Sequence, residues 1–219
     1  QVELALMRSG EHEVARAYVL YRERRADERA AQKQQQAEQG ELTVTDGTSR
    51  LPLPMQQFEA IVKAACEGFG EQVSPDAILK ETVKNLYDGV PVDEIYKSMI
   101  LASRALIEKD PAYSQVTARL LMHTIRKEIL GEEVFQPDMA AHYADYFPKF
   151  IKRGIEADLL NEELGRFDLK KLGAALKAER DLQFTYLGLQ TLYDRYFLHV
   201  EGDRIELPQA FFMRVAMGL

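Results

Sequence analysis

The side chains that could carry out chemistry are few in this sequence, and their spacing does not gather them into a reactive group. The histidines are His12, His123, His142 and His199. No pair of them has the HExxH spacing that turns two imidazoles toward one metal ion, and His123 falls on the polar side of a predicted helix, so we predict no metal site. The single cysteine, Cys66, lies in the apolar segment IVKAACEGF, where a thiol usually serves as a small buried hydrophobic group.

Carboxylate pairs occur, but each has a simpler explanation than acid–base catalysis. Glu132-Glu133 and Glu162-Glu163 fit solvated helix faces, and the segment ERD, which ends at Asp181, is expected to form structural ion pairs. The sequence contains no glycine-rich loop of the kind that cradles phosphates. The residue patterns alone therefore predict no catalytic residue.

Composition and charge exclude several classes of protein. Apolar residues make up 46% of the 219 residues, which is enough for a hydrophobic core, and the net charge of -7 argues against bulk attraction to nucleic acid. No apolar run reaches the roughly 18 residues that a membrane span needs. One cysteine cannot form an internal disulfide and is compatible with a cytoplasmic location. The chain begins with Gln1 and ends in MRVAMGL, and we interpret it as a piece of a larger protein or a processed chain.

The first half of the chain alternates between a polar stretch, a hairpin and helices. Residues 31–40 are polar and glutamine-rich, and we interpret them as a linker, helical in part, that ends at Gly40. The segment ELTVTDGTSRLPL predicts a β-hairpin with its turn at Asp46-Gly47. Ser74 and Pro75 predict the N-cap and first position of a later helix.

The second half predicts short helices and one more hairpin. Breaks are expected at Pro148, Gly154 and Gly165, and the hairpin is expected to turn at 201–203. The segment LQFTYLGLQTLYDRYFL is apolar on nearly all sides, which predicts a buried helix. The fold class is therefore mainly α: a helical bundle capped by a β-hairpin, followed by a second all-helical segment with one short hairpin.

Two segments about one hundred residues apart resemble each other. ALMRSGEHEVARAYVLYRERR begins at Ala5, and ALIEKDPAYSQVTARLLMHTIRKE begins at Ala105. Each contains an apolar helix end, a polar break, a helix with an Ala-Arg pair and a basic cluster. A duplicated domain explains this, with a chance likeness between two amphipathic helix pairs as the alternative. If the duplication is real, residues 41–131 form one complete copy and residues 1–30 are the end of an earlier one.

The hairpin, the helices and the closing basic cluster resemble the ATP-cone, the allosteric nucleotide-binding module of ribonucleotide reductases. The segments FIKRGIEADLL and ERDLQFTYLGLQTLYDRYFLHVEGDRIELPQAFFMRVAMGL resemble the region that leads into the catalytic barrel of the class I large subunit. The resemblance implies four parts: the C-terminal helices of a truncated first cone (1–30), the linker (31–40), a second, degenerate cone (41–131) and a helical domain that leads into the barrel (132–219).

The resemblance also implies a function for the parent protein, namely the reduction of ribonucleoside diphosphates to deoxyribonucleotides. It implies ATP and dATP as allosteric effectors with magnesium, a radical-generating, metal-containing small subunit as a partner, and self-association of large subunits. The family's catalytic cysteines lie downstream, so we expect this chain to hold no catalytic residue, metal or cofactor. The alternative is a non-enzymatic helical module for protein interactions.

The second cone departs from the family's nucleotide site. The family has a basic pair before the Asp-Gly turn, where this chain has Val44-Thr45, and it has Thr and His at positions that match Val92 and Tyr96. The resemblance leaves Lys127 in the second cone and Arg24 in the truncated first cone as candidate nucleotide-binding residues. Because triphosphates need cations and polar donors, we expect the second cone to have lost nucleotide binding. The alternative is that it still binds nucleotide through other residues, with charge from Lys63, Lys80, Lys84, Lys97 and Lys127.

Overall fold

The computed structural model describes residues 5, 7–8, 12–38 and 42–219. In chain order the α-helices of this part are α1 (His12–Glu38), α2 (Met55–Cys66), α3 (Pro75–Asn85), α4 (Val92–Ala105), α5 (Ala112–Leu130), α6 (Met139–Glu156), α7 (Leu169–Ala175), α8 (Tyr186–Arg195) and α9 (Pro208–Met217). The strands are β1 (Thr43–Asp46), β2 (Ser49–Pro52), β3 (Val90–Pro91), β4 (His199–Val200) and β5 (Asp203–Arg204). Short 3₁₀ turns lie at Gly70–Gln72, Gln136–Asp138, Glu162–Arg166 and Ala178–Gln183. The mainly α prediction, with its short hairpins, is confirmed.

The chain divides into two compact units. The first contains the described residues up to 60 together with 74–102, and the second contains 61–73 and 103–219. Helices α2 and α4 contribute residues to both, and so does the predicted cone at 41–131, whose limits stay a prediction. No helix of the described residues combines the length and the apolar character that crossing a membrane requires.

The first unit contains α1 and a three-stranded sheet in the order β2-β1-β3. β1 and β2 are antiparallel with Asp46 opposite Ser49, as the predicted turn requires, and Gly47 has the positive φ of 58° that favours glycine. β3 joins β1 in parallel, with Val44 beside Val90, which the sequence did not predict. Both outer strands contain a proline, Pro52 in β2 and Pro91 in β3.

Helix α1 packs against α3 of the same unit, and its length is compatible with the partly helical linker that the sequence predicted. It continues into the segment interpreted as a linker, whose expected end at Gly40 lies outside the described residues. Ala15 is fully buried, whereas Tyr21 is more than half exposed. Helix α3 begins as predicted, because Ser74 Oγ accepts a hydrogen bond of 3.2 Å from the Ala77 amide, with Pro75 at the first helical position.

The second unit has its core along α5 and α6. Tyr143, Phe147, Phe150 and Ile151 of α6 are almost completely buried. The break predicted at Pro148 is wrong, and so is the one at Gly154, because α6 is continuous through both. A proline inside a helix costs about 3 kcal/mol. Burying several large apolar side chains contributes about 1.5–3 kcal/mol each, which outweighs the proline.

Helix α8 does not match the expectation of a buried helix. Leu189 is fully buried, but Leu187 is 75% exposed. The helix has ten residues and packs against α5, so the side chains away from α5 lie in solvent. The second hairpin is as predicted, with Val200 opposite Asp203 and positive φ angles at Glu201 and Gly202.

Candidate functional site

The hairpin is where the family resemblance would place the phosphates of a nucleotide. At the positions of the family's basic pair this chain has Val44 and Thr45. The Val44 side chain is only 1% exposed and belongs to the core. The hydroxyl of Thr45 donates a hydrogen bond of 2.9 Å to the Gly89 carbonyl. Neither side chain can serve as a cation, and Thr45 already has a backbone partner.

Arg50 is the cation of the described hairpin, and no sequence pattern predicted a role for it. It lies directly opposite Thr45 on β2. Its Nε donates a hydrogen bond of 2.6 Å to Thr43 Oγ1, and its Nη2 pairs with the Asp88 carboxylate. No local sequence pattern could have revealed the pair, because Arg50 and Asp88 are 38 positions apart.

The Asp88 carboxylate is held by several donors. Its Oδ1 accepts hydrogen bonds from the Thr43 hydroxyl at 2.7 Å and from the Thr43 amide at 3.0 Å. These bonds, led by the one from the hydroxyl, and the Arg50 guanidinium lower the pKa of Asp88. The carboxylate is therefore ionised at neutral pH and gives Arg50 an anionic partner within the chain.

The start of α4 lacks the polar groups that the family places near a nucleotide. Val92 is apolar and forms the first residue of the helix. Tyr96 is buried, and its ring meets the Phe58 ring edge to face with 5.6 Å between centroids. Tyr96 thus contributes to the core of the first unit.

The two candidate nucleotide-binding residues lie in different units. Lys127, near the end of α5 in the second unit, is about one third exposed, and its Nζ is 3.4 Å from Glu133 Oε1. The other oxygen of Glu133 lies 2.6 Å from His123 Nε2. Arg24 lies in α1 of the first unit and is exposed to solvent. The role of both residues in nucleotide binding stays a prediction.

His123 is buried, so its expected position on a polar helix face is wrong. Its ring packs against Phe135 with 5.4 Å between centroids. Burial lowers the pKa of the His123 imidazole, and the nearby Glu133 opposes this effect only in part. The helical periodicity of α5 does not decide whether position 123 is exposed or buried. The His123 ring packs against Phe135, which comes after the helix in the chain.

Asp181 is the centre of a buried polar cluster in the second unit. Its carboxylate lies 2.9 Å from Nη2 of Arg126 and accepts hydrogen bonds from the Tyr143 hydroxyl at 3.0 Å and the Gln209 amide at 2.9 Å. Burial raises the pKa of Asp181, and Arg126 opposes the increase. The cluster joins α5, α6, α9 and the 3₁₀ turn at 178–183. The predicted ion pair of the ERD segment is present.

A small cavity adjoins this cluster within the second unit. Its volume is about 50 Å³, and it is lined by Ile61, Ala64, Ala65, Arg119, Met122, His123, Arg126, Phe135, Gln136, Asp181 and Leu182. Pockets for small-molecule ligands have volumes of roughly 300–1,000 Å³. One water molecule needs roughly 10–15 Å³ of such space, so the cavity is large enough for water and too small for a nucleotide.

Cys66 and the described acidic and histidine side chains do not form a reactive centre. Burial raises the pKa of the Cys66 thiol to about 11, so it is a thiol and not a nucleophilic thiolate at neutral pH. Among the described residues, no three histidine, cysteine, aspartate or glutamate side chains are arranged to hold a metal ion.

Known proteins resemble the chain over its whole length. A family model described as "Ribonucleotide reductase, all-alpha domain" matches residues 182–219. The ribonucleoside-diphosphate reductase subunit alpha of Chlamydia trachomatis is 39% identical over 225 residues, which cover 100% of this chain and 21% of that protein. The subunit of the same name from Helicobacter pylori strain 26695 is 32% identical over 181 residues, covering 81% of this chain and 22% of that protein.

More distant members of the group give the same result. Subunit alpha of the Salmonella typhimurium ribonucleoside-diphosphate reductase 1 is 26% identical over 182 residues, covering 81% of this chain and 23% of that protein. The helical fold with its short hairpins and the matches along the chain define one class of protein, the ribonucleotide reductase large subunits. The chain belongs to this family and corresponds to the N-terminal region of its alpha subunits, spanning about a fifth of the length of the relatives it matches.

Proposed function

We propose that the parent protein is the large subunit of a class I ribonucleoside-diphosphate reductase, which converts ribonucleotides to deoxyribonucleotides in the cytoplasm. The observation that carries this proposal is the 39% identity to a subunit alpha along the whole chain. A radical-generating small subunit, self-association of large subunits, and control by ATP and dATP are part of the proposal. The interaction-module alternative has no comparable support.

The region 1–219 is proposed to be regulatory and structural. In this proposal its two parts after the linker are a degenerate ATP-cone at 41–131 and the helical entry to the catalytic domain at 132–219. The absence of reactive side-chain groups among the described residues is compatible with catalysis elsewhere in the parent. Assembly is the property that a nucleotide-binding cone would control, since ligands at one site bias the equilibrium between assembly states.

Loss of nucleotide binding by the second cone is supported by the side chains of the hairpin and α4. Val44 and Tyr96 are buried in the core, and Thr45 already has a backbone partner. Arg50 already has a carboxylate partner in Asp88. A triphosphate carries several negative charges and needs cations that are free to bind it. In this proposal, regulation belongs to the first cone, of which residues 1–30 are the end.

Calorimetric titration of this chain with ATP and with dATP, in the presence of magnesium, tests the loss of binding. We expect no saturable heat at millimolar nucleotide. Saturable binding would overturn the proposal. If Lys127→Ala also abolishes that binding, the second cone is identified as a regulatory site. Arg166→Gln is the control variant, because it also removes one exposed cation from an ion pair.

The enzymatic part is tested on the full-length parent. Mixed with its small subunit and a dithiol reductant, it is expected to reduce CDP or ADP to the corresponding deoxyribonucleotide. Absence of any reduction with each of the four ribonucleoside diphosphates, while a known reductase is active in the same assay, would contradict the proposal.

A further inference from the structure

The β1–β2 hairpin is too small to be stable alone, so its position depends on the segment that follows α3. Its strands have four residues each, and isolated two-stranded hairpins are only marginally stable in water. The Gly89 amide donates a hydrogen bond of 2.9 Å to the Thr43 carbonyl, and the Thr45 hydroxyl donates one of 2.9 Å to the Gly89 carbonyl. The hairpin is thus attached to residues 88–90.

The turn at Gly89 lies against the Arg50 guanidinium at this attachment. A Cβ atom built on Gly89 would be 3.4 Å from Nη2 of Arg50 and 3.7 Å from its Cζ. Gly89 also has a φ of +79°, which side-chain-bearing residues rarely adopt. The positive φ therefore favours glycine at this turn, and the Arg50 side chain lies in contact with it where it reaches Asp88.

We propose that Asp88 is a built-in counter-ion that ties Arg50 and the hairpin to the turn after α3, so that the hairpin keeps its position without a bound anion. This inference rests on the proposed degenerate cone, and it names the contact that replaces the ligand. Thr43, Arg50 and Asp88 together form this hairpin latch.

The latch also disfavours binding of a phosphate to Arg50. A phosphate that approached Arg50 would meet the negative charge of Asp88. To displace Asp88, it would also have to separate that carboxylate from the hydroxyl and amide of Thr43, which donate at 2.7 Å and 3.0 Å. The Asp88 carboxylate thus holds the hairpin in position and is also the ion-pair partner of its cation, Arg50.

Amide hydrogen exchange of the 219-residue chain, measured by NMR at single residues, tests the latch. In Asp88→Asn we expect the amides of Thr43 and Gly89 to exchange up to about fivefold faster than in the unsubstituted 219-residue chain, which is the parent chain of these variants, since an exposed charged contact is removed. Arg50→Gln should have an effect in the same direction. The double variant should exchange no faster than the faster single variant, because both changes break one contact.

Salt and a matched variant provide the controls. Exchange at Thr43 and Gly89 should become faster in 1 M salt in the parent chain but not in Asp88→Asn, because salt screens exposed charges. Arg166→Gln, which breaks the exposed pair with Glu163, should leave the hairpin amides unchanged.

The outcomes separate the latch from the proposed loss of nucleotide binding. Unchanged exchange at Thr43 and Gly89 in both single variants would overturn the latch. If millimolar ATP slows exchange of these amides in the parent chain, nucleotide binding survives and the degenerate cone is refuted, whatever the variants do. Faster exchange in the variants, together with no effect of ATP on the parent chain, supports both.

Discussion

The carboxylate of Asp181 lies 2.9 Å from Nη2 of Arg126, although 55 positions separate the two residues in the chain. Both side chains are almost fully buried. The pair connects α5 to the 3₁₀ turn that precedes α8, and Tyr143 and Gln209 complete the carboxylate's hydrogen bonds. Buried charges of this kind are tolerated when they are paired and hydrogen-bonded, and removal of one partner leaves the other without compensation.

Asp181→Asn is therefore expected to lower the free energy of unfolding by about 3–5 kcal/mol, because Arg126 loses its buried counter-ion. Urea denaturation followed by circular dichroism measures the change. The control is Asp145→Asn, which removes the exposed partner of Lys149 and should change the free energy of unfolding by less than about 1 kcal/mol. Equal effects of the two variants would contradict this account of Asp181.

The buried His123 predicts a dependence of stability on pH. Burial lowers its pKa in the folded chain below the usual value of about 6.5. The unfolded chain therefore takes up a proton more readily, and the free energy of unfolding falls as the pH drops through about 6.5. His123→Gln should have a smaller difference in unfolding free energy between pH 7.5 and pH 5.5 than the parent chain.

Urea denaturation at the two pH values checks this prediction. His12→Gln is the control, because it removes one histidine at an exposed position of α1. A pH dependence that is the same in His123→Gln as in the parent chain would assign the effect to other groups.

The close contact between α6 and α7 predicts that Gly173 cannot be replaced without cost. A Cβ atom at this position would be 2.9 Å from the Ala144 carbonyl oxygen and 3.3 Å from Phe147 Cβ. Alanine improves helix propensity by about 1 kcal/mol, but overpacking costs about 1–3 kcal/mol, so we expect Gly173→Ala to lower the melting temperature.

Gly165→Ala is the matched variant for this test. Its nearest neighbour would be Ile155 Cδ1 at 3.5 Å, an ordinary contact distance. Differential scanning calorimetry should give a lower melting temperature for Gly173→Ala than for Gly165→Ala. The reverse order would mean that α6 and α7 separate readily.

The uneven burial of α8 predicts opposite outcomes for two leucines that are two positions apart. Leu189→Ala is expected to cost about 2–5 kcal/mol, since it creates a cavity at a fully buried site. Leu187→Ala should change the free energy of unfolding by less than about 0.5 kcal/mol, because the side chain is 75% exposed. Urea denaturation of both variants compares them, and similar losses would show that α8 is covered on both sides.

Local signals in the sequence were sufficient for the turns and caps. Ser74 and Pro75 start α3, and Asp46-Gly47 turns the first hairpin, both as predicted. Each of these structures depends on a few consecutive residues, whose allowed backbone angles or hydrogen bonds decide the conformation.

Contacts between distant segments were not predictable in the same way. Three contacts depend on how distant segments come together: the Arg50–Asp88 pair, the shared use of Glu133 by His123 and Lys127, and the packing of Phe135 over His123. Pro148 and α8 illustrate the same limit. Helix propensity depends on single residues, so it did not show that burial of the aromatic side chains around Pro148 would keep the helix continuous. The apolar composition of α8 did not show how much of its surface the neighbouring helices would cover.

The two prolines in the outer strands have a consequence for association. An exposed sheet edge can recruit a strand from another chain, since its amide and carbonyl groups are unpaired. Pro52 in β2 and Pro91 in β3 have no amide hydrogen to offer. The sheet is thus protected against edge-to-edge aggregation on both sides, and contacts between copies of the first unit are expected to involve its helices.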